Sequence, residues 1–117
     1  MHFAISATYG PTDPTRAMLP FIFAASAVQA GDRVTLMLLA DAVNVAVEGV
    51  GAKLVPVGPP NRYEEVAGNP NVTLIACKPC VEARGIAASA LDKRFKLGGM
   101  NELHAAAKEP GTQVVNF

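Results

Sequence analysis

Two cysteines stand three residues apart in the stretch LIACKPCVEARG, Leu74 to Gly85, and the chain has no others. A pair at this spacing suits a dithiol redox couple, one half of a metal site, or a single nucleophilic thiol with a neighbour. Cys77 closes a short apolar run that reads as a strand, and Pro79 suits the first turn of a following helix. A thiol at a helix N-terminus faces unpaired backbone N–H groups and the positive end of the dipole. Both favour the thiolate and are expected to lower the thiol pKa below its ordinary ~8.5. The plainer reading is a buried structural thiol, because cysteine is among the most buried residue types.

The three chemistries make different demands. CKPC shares the C-x-P-C pattern of thioredoxin-like proteins, but those carry the motif early, ahead of an antiparallel hairpin and a cis-proline loop. Here it lies two-thirds along the chain. A zinc knuckle needs two further ligands, and the only histidines are His2 and His104. His2 opens the first strand at its amino end, the opposite edge from Cys77 if the strands are parallel. His104 has the spacing of an ordinary helix-surface residue. No metal ligand set is therefore assigned. Nor is a cofactor: GVGAK, Gly49 to Lys53, lacks the spacing of a phosphate-binding loop.

Other polar residues fall near the same predicted edge. Asp13, just before Pro14, is read as a helix cap, with contact to a ligand as the alternative. Asp41 follows a strand, and capping of the next helix explains it better than acid–base work. Lys78, between the cysteines, would raise the local potential and favour a thiolate. Arg84 either steers an anionic sulfur species towards Cys77 or favours the helix C-terminus before Gly85. Tyr9 and Arg16 sit where a binding loop belongs.

The elements that must position these residues alternate. Strands are predicted over His2 to Thr8, Arg33 to Leu39 and Val72 to Ala76, with shorter ones at FKLGG and the closing TQVVNF. The near-continuous apolarity of RVTLMLL marks a parallel strand covered on both faces. A helix from Pro14 to about Ala30 stops at Gly31, with Pro20 expected to bend it or weaken one turn. Its apolar residues cover nearly the whole circumference, so one face is free to meet a partner subunit. Helical stretches follow at Ala42 to Glu48, Arg62 to Ala67, Val81 to Arg84, Ile86 to Leu91 and Met100 to Lys108. Lys53 to Val57 is a short strand or an irregular crossing. Gly98 and Gly99 suggest a close backbone approach. Strands alternating with helices imply an α/β domain with a parallel sheet and helices on both faces. In such sheets reactive groups gather at the carboxyl ends of the strands, where Tyr9 to Thr15, Asp41 and Cys77 to Cys80 all lie.

Composition bounds the function. The 117 residues fit one domain; half are apolar, and the mean hydropathy is slightly positive. Formal net charge is zero, which argues against nucleic acid or an anionic membrane surface as the main partner. A neutral, apolar-rich domain tends to self-associate. The longest greasy stretch, Ala17 to Val28, is shorter than the roughly 20 residues a membrane span needs. With no basic leader at the start, the chain reads as cytoplasmic, where thiols stay reduced unless they act transiently.

The whole chain resembles the DsrE/DsrF-like family, which includes subunits of a tRNA-thiolation sulfur relay. HFAISATYGPTDPTRA resembles the family's first strand and the loop into a long helix. LIACKPCVEARGI resembles its cysteine loop, with the reactive cysteine directly after a strand and eight residues before the glycine of an Arg-Gly pair. Counting back from Gly85 gives Cys77. FKLGGMNEL and TQVVNF resemble the segment that follows and the closing strand. The resemblance implies a three-layer α/β/α sandwich around an essentially parallel five-stranded sheet, in homo-oligomers such as trimers or hexamers. It implies that Cys77 carries a persulfide between donor and acceptor proteins or small thiols, with Cys80 an auxiliary or resolving thiol. Two other readings stay open: a non-catalytic oligomeric module binding a small ligand or a protein, and a thiol–disulfide protein using both cysteines.

Overall fold

In the computed structural model, which describes residues 1–117, five strands form one sheet in the order β4-β3-β2-β1-β5, and every neighbouring pair is parallel. They are β1 (His2–Ala7), β2 (Arg33–Leu38), β3 (Val72–Cys77), β4 (Phe95–Gly98) and β5 (Thr112–Asn116). The central strands are the apolar ones: Ile5, Leu36, Met37, Leu38 and Ile75 are essentially inaccessible. The edges are shorter or more polar, with Lys96 on β4 and Gln113 on β5 exposed, as befits strands whose outer N–H and C=O groups meet water.

The helices are α1 (Pro14–Gln29), α2 (Val50–Lys53), α3 (Tyr63–Ala67), α4 (Lys78–Ala83) and α5 (Met100–Ala107). Asp13 caps α1, its Oδ1 accepting the Arg16 N–H at 3.1 Å, and Pro14 opens the helix. The helix runs on through Pro20 to Gln29. Met18, Phe21, Ala24 and Ala25 are buried against the sheet, and the Phe3 and Phe23 rings meet edge-on at 5.2 Å. Of α1's large apolar residues only Leu19 is exposed.

The first three crossovers all step the same way across the sheet, from β1 to β4. A right-handed connection therefore places α1, α3 and α4 on one face. Packing agrees: the Phe21 and Tyr63 rings lie 5.1 Å apart, and Tyr63 Oη donates to Asp92 Oδ2 just ahead of β4. The last crossover runs back across three strands from β4 to β5, so α5 lies on the opposite face. There Glu102 comes up against Gly98 and Ile75. The three layers are thus uneven, with α5 alone forming the third.

Two predicted elements differ, and of the two readings of Lys53 to Val57 the irregular one holds beyond Lys53. The segment after β2 is a 3-10 stretch, Ala40–Ala46, instead of an α-helix over Ala42 to Glu48. Its alternating Val43, Val45 and Val47 are stiff at χ1 and disfavour a regular α turn. Lys53 closes α2, and the residues beyond it are irregular, with Val55 and Val57 well exposed. Pro56, Gly58, Pro59 and Pro60 leave too few N–H donors and too much backbone freedom for a strand. After α4, Gly85 takes a left-handed φ of 66°, and only Ala88–Ala90 forms a 3-10 turn where a helix to Leu91 was expected. No helix is long and apolar enough to cross a membrane.

Candidate functional site

Cys77 is the last residue of β3 and the N-cap of α4, with φ −61° and ψ 115°. The helix begins at once, at Lys78, with Pro79 in its first turn. Through the pleat, Thr73, Ile75 and Cys77 share the sheet face on which α5 lies. Cys77 pairs in register with Gly98, the last residue of β4. From this pair the chain leaves in opposite directions: beyond Cys77 it enters α4 on one face, and beyond Gly98 it enters α5 on the other. That reversal between neighbouring parallel strands is a topological switch point, and the carboxyl ends of strands at such a point are where α/β sheets bind ligands.

Three turns converge beside it. Cys80, one helical turn after Cys77, receives the Ala40 N–H on its Sγ at 3.3 Å. Ala40 is the only non-glycine residue with positive φ, at 50°, a conformation that L-residues adopt at a cost. Asp41 follows, and Arg84 closes on it: Nε and Nη2 donate to Asp41 Oδ1 at 3.1 and 2.8 Å, while Nη1 donates to the Cys80 carbonyl at 3.2 Å. Gly10, in the turn after β1, backs this cluster so closely that a Cβ there would stand 2.5 Å from the Asp41 carbonyl oxygen.

The Cys77 thiol is 7 % exposed, and its pKa is pushed up, not down. Burial is the main cause and the adjoining Cys80 thiol adds to it; the Cys80 backbone N–H and the Arg84 guanidinium pull the other way. The expectation of a depressed pKa is overturned because α4 is less than two turns long and the Cys80 N–H at its start offsets only part of the cost of burial. Desolvation of the thiolate therefore outweighs the helix terminus.

The remaining predicted residues divide. Arg84 and Asp41 join the cysteine loop, but Asp41 caps nothing: the 3-10 stretch has Leu39 at its N-cap and no side-chain cap bond. Its carboxylate is taken by Arg84 because the α4 C-terminal turn lies alongside. Tyr9 and Asp13 form a group of their own around Arg16, whose guanidinium carbon lies 5.3 Å from the Tyr9 ring centre and whose Nη1 reaches Asp13 Oδ2 at 2.9 Å. Asp13 is held below the usual carboxylate range, first by the Arg16 backbone N–H. Lys78 is exposed and makes no ion pair. His2 lies at the amino edge, its ring nitrogens 3.0 Å from Thr112 Oγ1 and 2.8 Å from Thr35 Oγ1, with Glu109 Oε2 at 3.1 Å. His104 is exposed on α5.

Two features escaped the sequence reading. Ala40 contributes through its backbone N–H, for which no residue pattern exists. The other is a buried polar knot at the opposite edge. Asp92 accepts from Tyr63 Oη at 2.8 Å and from Arg94 Nη2 at 2.7 Å, and Arg94 also holds Glu64. Arg94 holds the Asp92 carboxyl down at about 2, while burial pushes Tyr63 well above its ordinary value. Asp92 and Arg94, two apart, bear the signal of a turn-closing pair, but Tyr63 and Glu64 are distant in sequence.

The whole of residues 1–117 matches the DsrE/DsrF-like family. Over its full length the chain is 32 % identical to the full length of uncharacterized protein MJ0989 of Methanocaldococcus jannaschii. Among solved structures it is similar to the YchN protein of E. coli, with a TM-score of 0.78 at 22 % identity over 99 % of this chain and 97 % of that one. A protein of unknown function from Methanobacterium thermoautotrophicum, MTH1491, gives 0.64 at 14 % identity, over 99 % and 96 %. The parallel sheet with helices on both faces agrees with these matches, and the chain belongs to the DsrE/DsrF-like family, a family associated with sulfur relay.

Proposed function

We propose that this protein is a sulfur-relay protein that holds sulfane sulfur as a persulfide on Cys77. The observation that carries the reading is the position of the Cys77 thiol where the carboxyl ends of β3 and β4 part to opposite faces, with a second thiol one helical turn away. The Cys77 thiolate attacks the outer sulfur of a donor persulfide; a new S–S bond forms, the donor's S–S bond breaks, and the donor leaves as a thiolate. An acceptor thiolate later repeats the exchange on the Cys77 persulfide and restores the Cys77 thiolate. Neither step changes the number of electrons overall, so no cofactor is required. Burial of Cys77 favours retention, because water and stray thiols are kept from the S–S bond, at the cost of a higher thiol pKa.

The contact between the two thiols favours a second reading, a Cys77–Cys80 redox couple. One experiment separates them. The reduced protein is exposed to glutathione persulfide, desalted and weighed intact, with Cys77→Ser and Cys80→Ser in parallel. The relay predicts one added sulfur atom, retained in wild type and Cys80→Ser and absent after desalting in Cys77→Ser. Loss of two hydrogens without added sulfur, abolished by either substitution, would establish the redox couple. No change in any form would leave a binding module.

A further inference from the structure

The two thiols are not equivalent, and the difference runs against a simple scheme in which the storing cysteine also meets the donor. Cys77 is 7 % exposed, and burial disfavours the thiolate that must attack an incoming persulfide. Cys80 is only partly buried and lies one helical turn on, at the same end of the sheet. Its Sγ already accepts a main-chain N–H from Ala40 at 3.3 Å, the kind of donor that stabilises negative charge on sulfur. That N–H is aimed by a backbone with φ of 50°, and the turn is locked from behind by Arg84, which bonds both Asp41 and the Cys80 carbonyl. The cluster therefore gives the more exposed thiol, Cys80, a main-chain donor of its own, whereas at Cys77 burial outweighs the Cys80 N–H and the Arg84 guanidinium.

We infer that Cys80 is the entry and exit thiol of this site: donor sulfur is taken first onto Cys80 and then passed inward to Cys77, which stores it. This rests on the relay reading above. In the first step the Cys80 thiolate attacks the outer sulfur of the donor persulfide and the donor thiolate leaves. In the second, Cys77 attacks the outer sulfur of the Cys80 persulfide; the Cys77–sulfur bond forms, the Cys80–sulfur bond breaks, and the Cys77 proton passes to Cys80 or solvent. The two sulfurs are neighbours, since Cys80 lies one turn from Cys77 and the thiols interact directly. Delivery to an acceptor is the same path reversed, so the sulfur stays shielded on Cys77 between encounters.

The test is the initial rate of sulfur uptake from glutathione persulfide, quenched with acid, with fragmentation to place the added sulfur. In Cys80→Ser the hydroxyl still accepts the Ala40 N–H, and uptake is expected to slow at least roughly tenfold. In Cys77→Ser, added sulfur is expected on Cys80 in the acid-quenched sample and is expected to be lost on desalting. Uptake by Cys80→Ser as fast as wild type, or no transient sulfur on Cys80 in Cys77→Ser, overturns the inference while leaving the relay standing. Wild-type protein that acquires no sulfur overturns both. Should Cys80→Ser fold poorly, judged by its thermal melt, the Cys77→Ser arm decides alone.

Discussion

Cys77 and Gly98 face one another in register at the ends of β3 and β4, and they mark where the chain parts to opposite faces of the sheet. The glycine is a spatial requirement. A Cβ on Gly98 would stand 2.8 Å from Ile75 Cγ2 and 2.4 Å from Glu102 Oε1. The thiol therefore lies beside a strand end with no side chain, where α5 comes in close. Crowding and desolvation at this point explain why Cys77 is held as a thiol despite its place at a helix start.

The raised pKa of Cys77 has a direct kinetic consequence. The thiolate fraction at neutral pH is smaller than for an ordinary cysteine, so iodoacetamide labelling of Cys77 in Cys80→Ser is expected to keep rising with pH beyond the usual thiol range. The same shift makes the folded state slightly less stable above that range, because the unfolded chain gives up this proton more readily. A labelling profile with its midpoint below that of free cysteine would refute the assignment.

Arg84 lowers the pKa of Cys77, although less than burial raises it. Arg84→Gln removes that contribution and frees Asp41, which is largely exposed. The exposed pair itself is worth at most about 1 kcal/mol, so the thermal midpoint should change little. Labelling of Cys77 at fixed alkaline pH should slow. An unchanged labelling rate would show that the guanidinium acts only on Asp41.

Gly98→Ala is predicted to cost about 1–3 kcal/mol in stability, the usual range for overpacking a filled site. Glu102 can swing away, but Ile75 is buried in the sheet and cannot. Urea unfolding measures the cost, and sulfur retention should fall with it as β4 moves away from Cys77. Wild-type stability would mean that β4 yields at no cost.

Asp92 supplies the acid sensitivity. Its folded pKa of about 2 lies below the unfolded value of ~3.9, so its contribution is full above pH 4 and disappears as pH falls towards 2. The contribution is on the order of 2 kcal/mol at neutral pH. Asp92→Asn should lower stability at pH 7 and flatten its fall between pH 4 and 2, read by thermal melts across that window. An unaltered acid limb would place the acid-labile contact elsewhere.

Much of this protein is local physics and was readable from residue order. The apolar runs at His2, Arg33 and Val72 specify buried strands, Asp13-Pro14 specifies a helix start, and the Cys77–Pro79 junction specifies a strand that passes straight into a helix. The family resemblance rests on the same local patterns. Distance across the fold decided the rest. Whether Asp41 capped a helix or met Arg84 depended on α4 lying beside the turn after β2, which no spacing encodes. The Cys77 pKa depended on the balance between a helix terminus, legible locally, and desolvation, a property of everything packed around the sulfur. The pairing of Cys77 with Gly98 and the Ala40 N–H on Cys80 join residues 21 and 40 apart by main-chain geometry alone. Side-chain types carry no record of such contacts, so only the folded sheet brings them together.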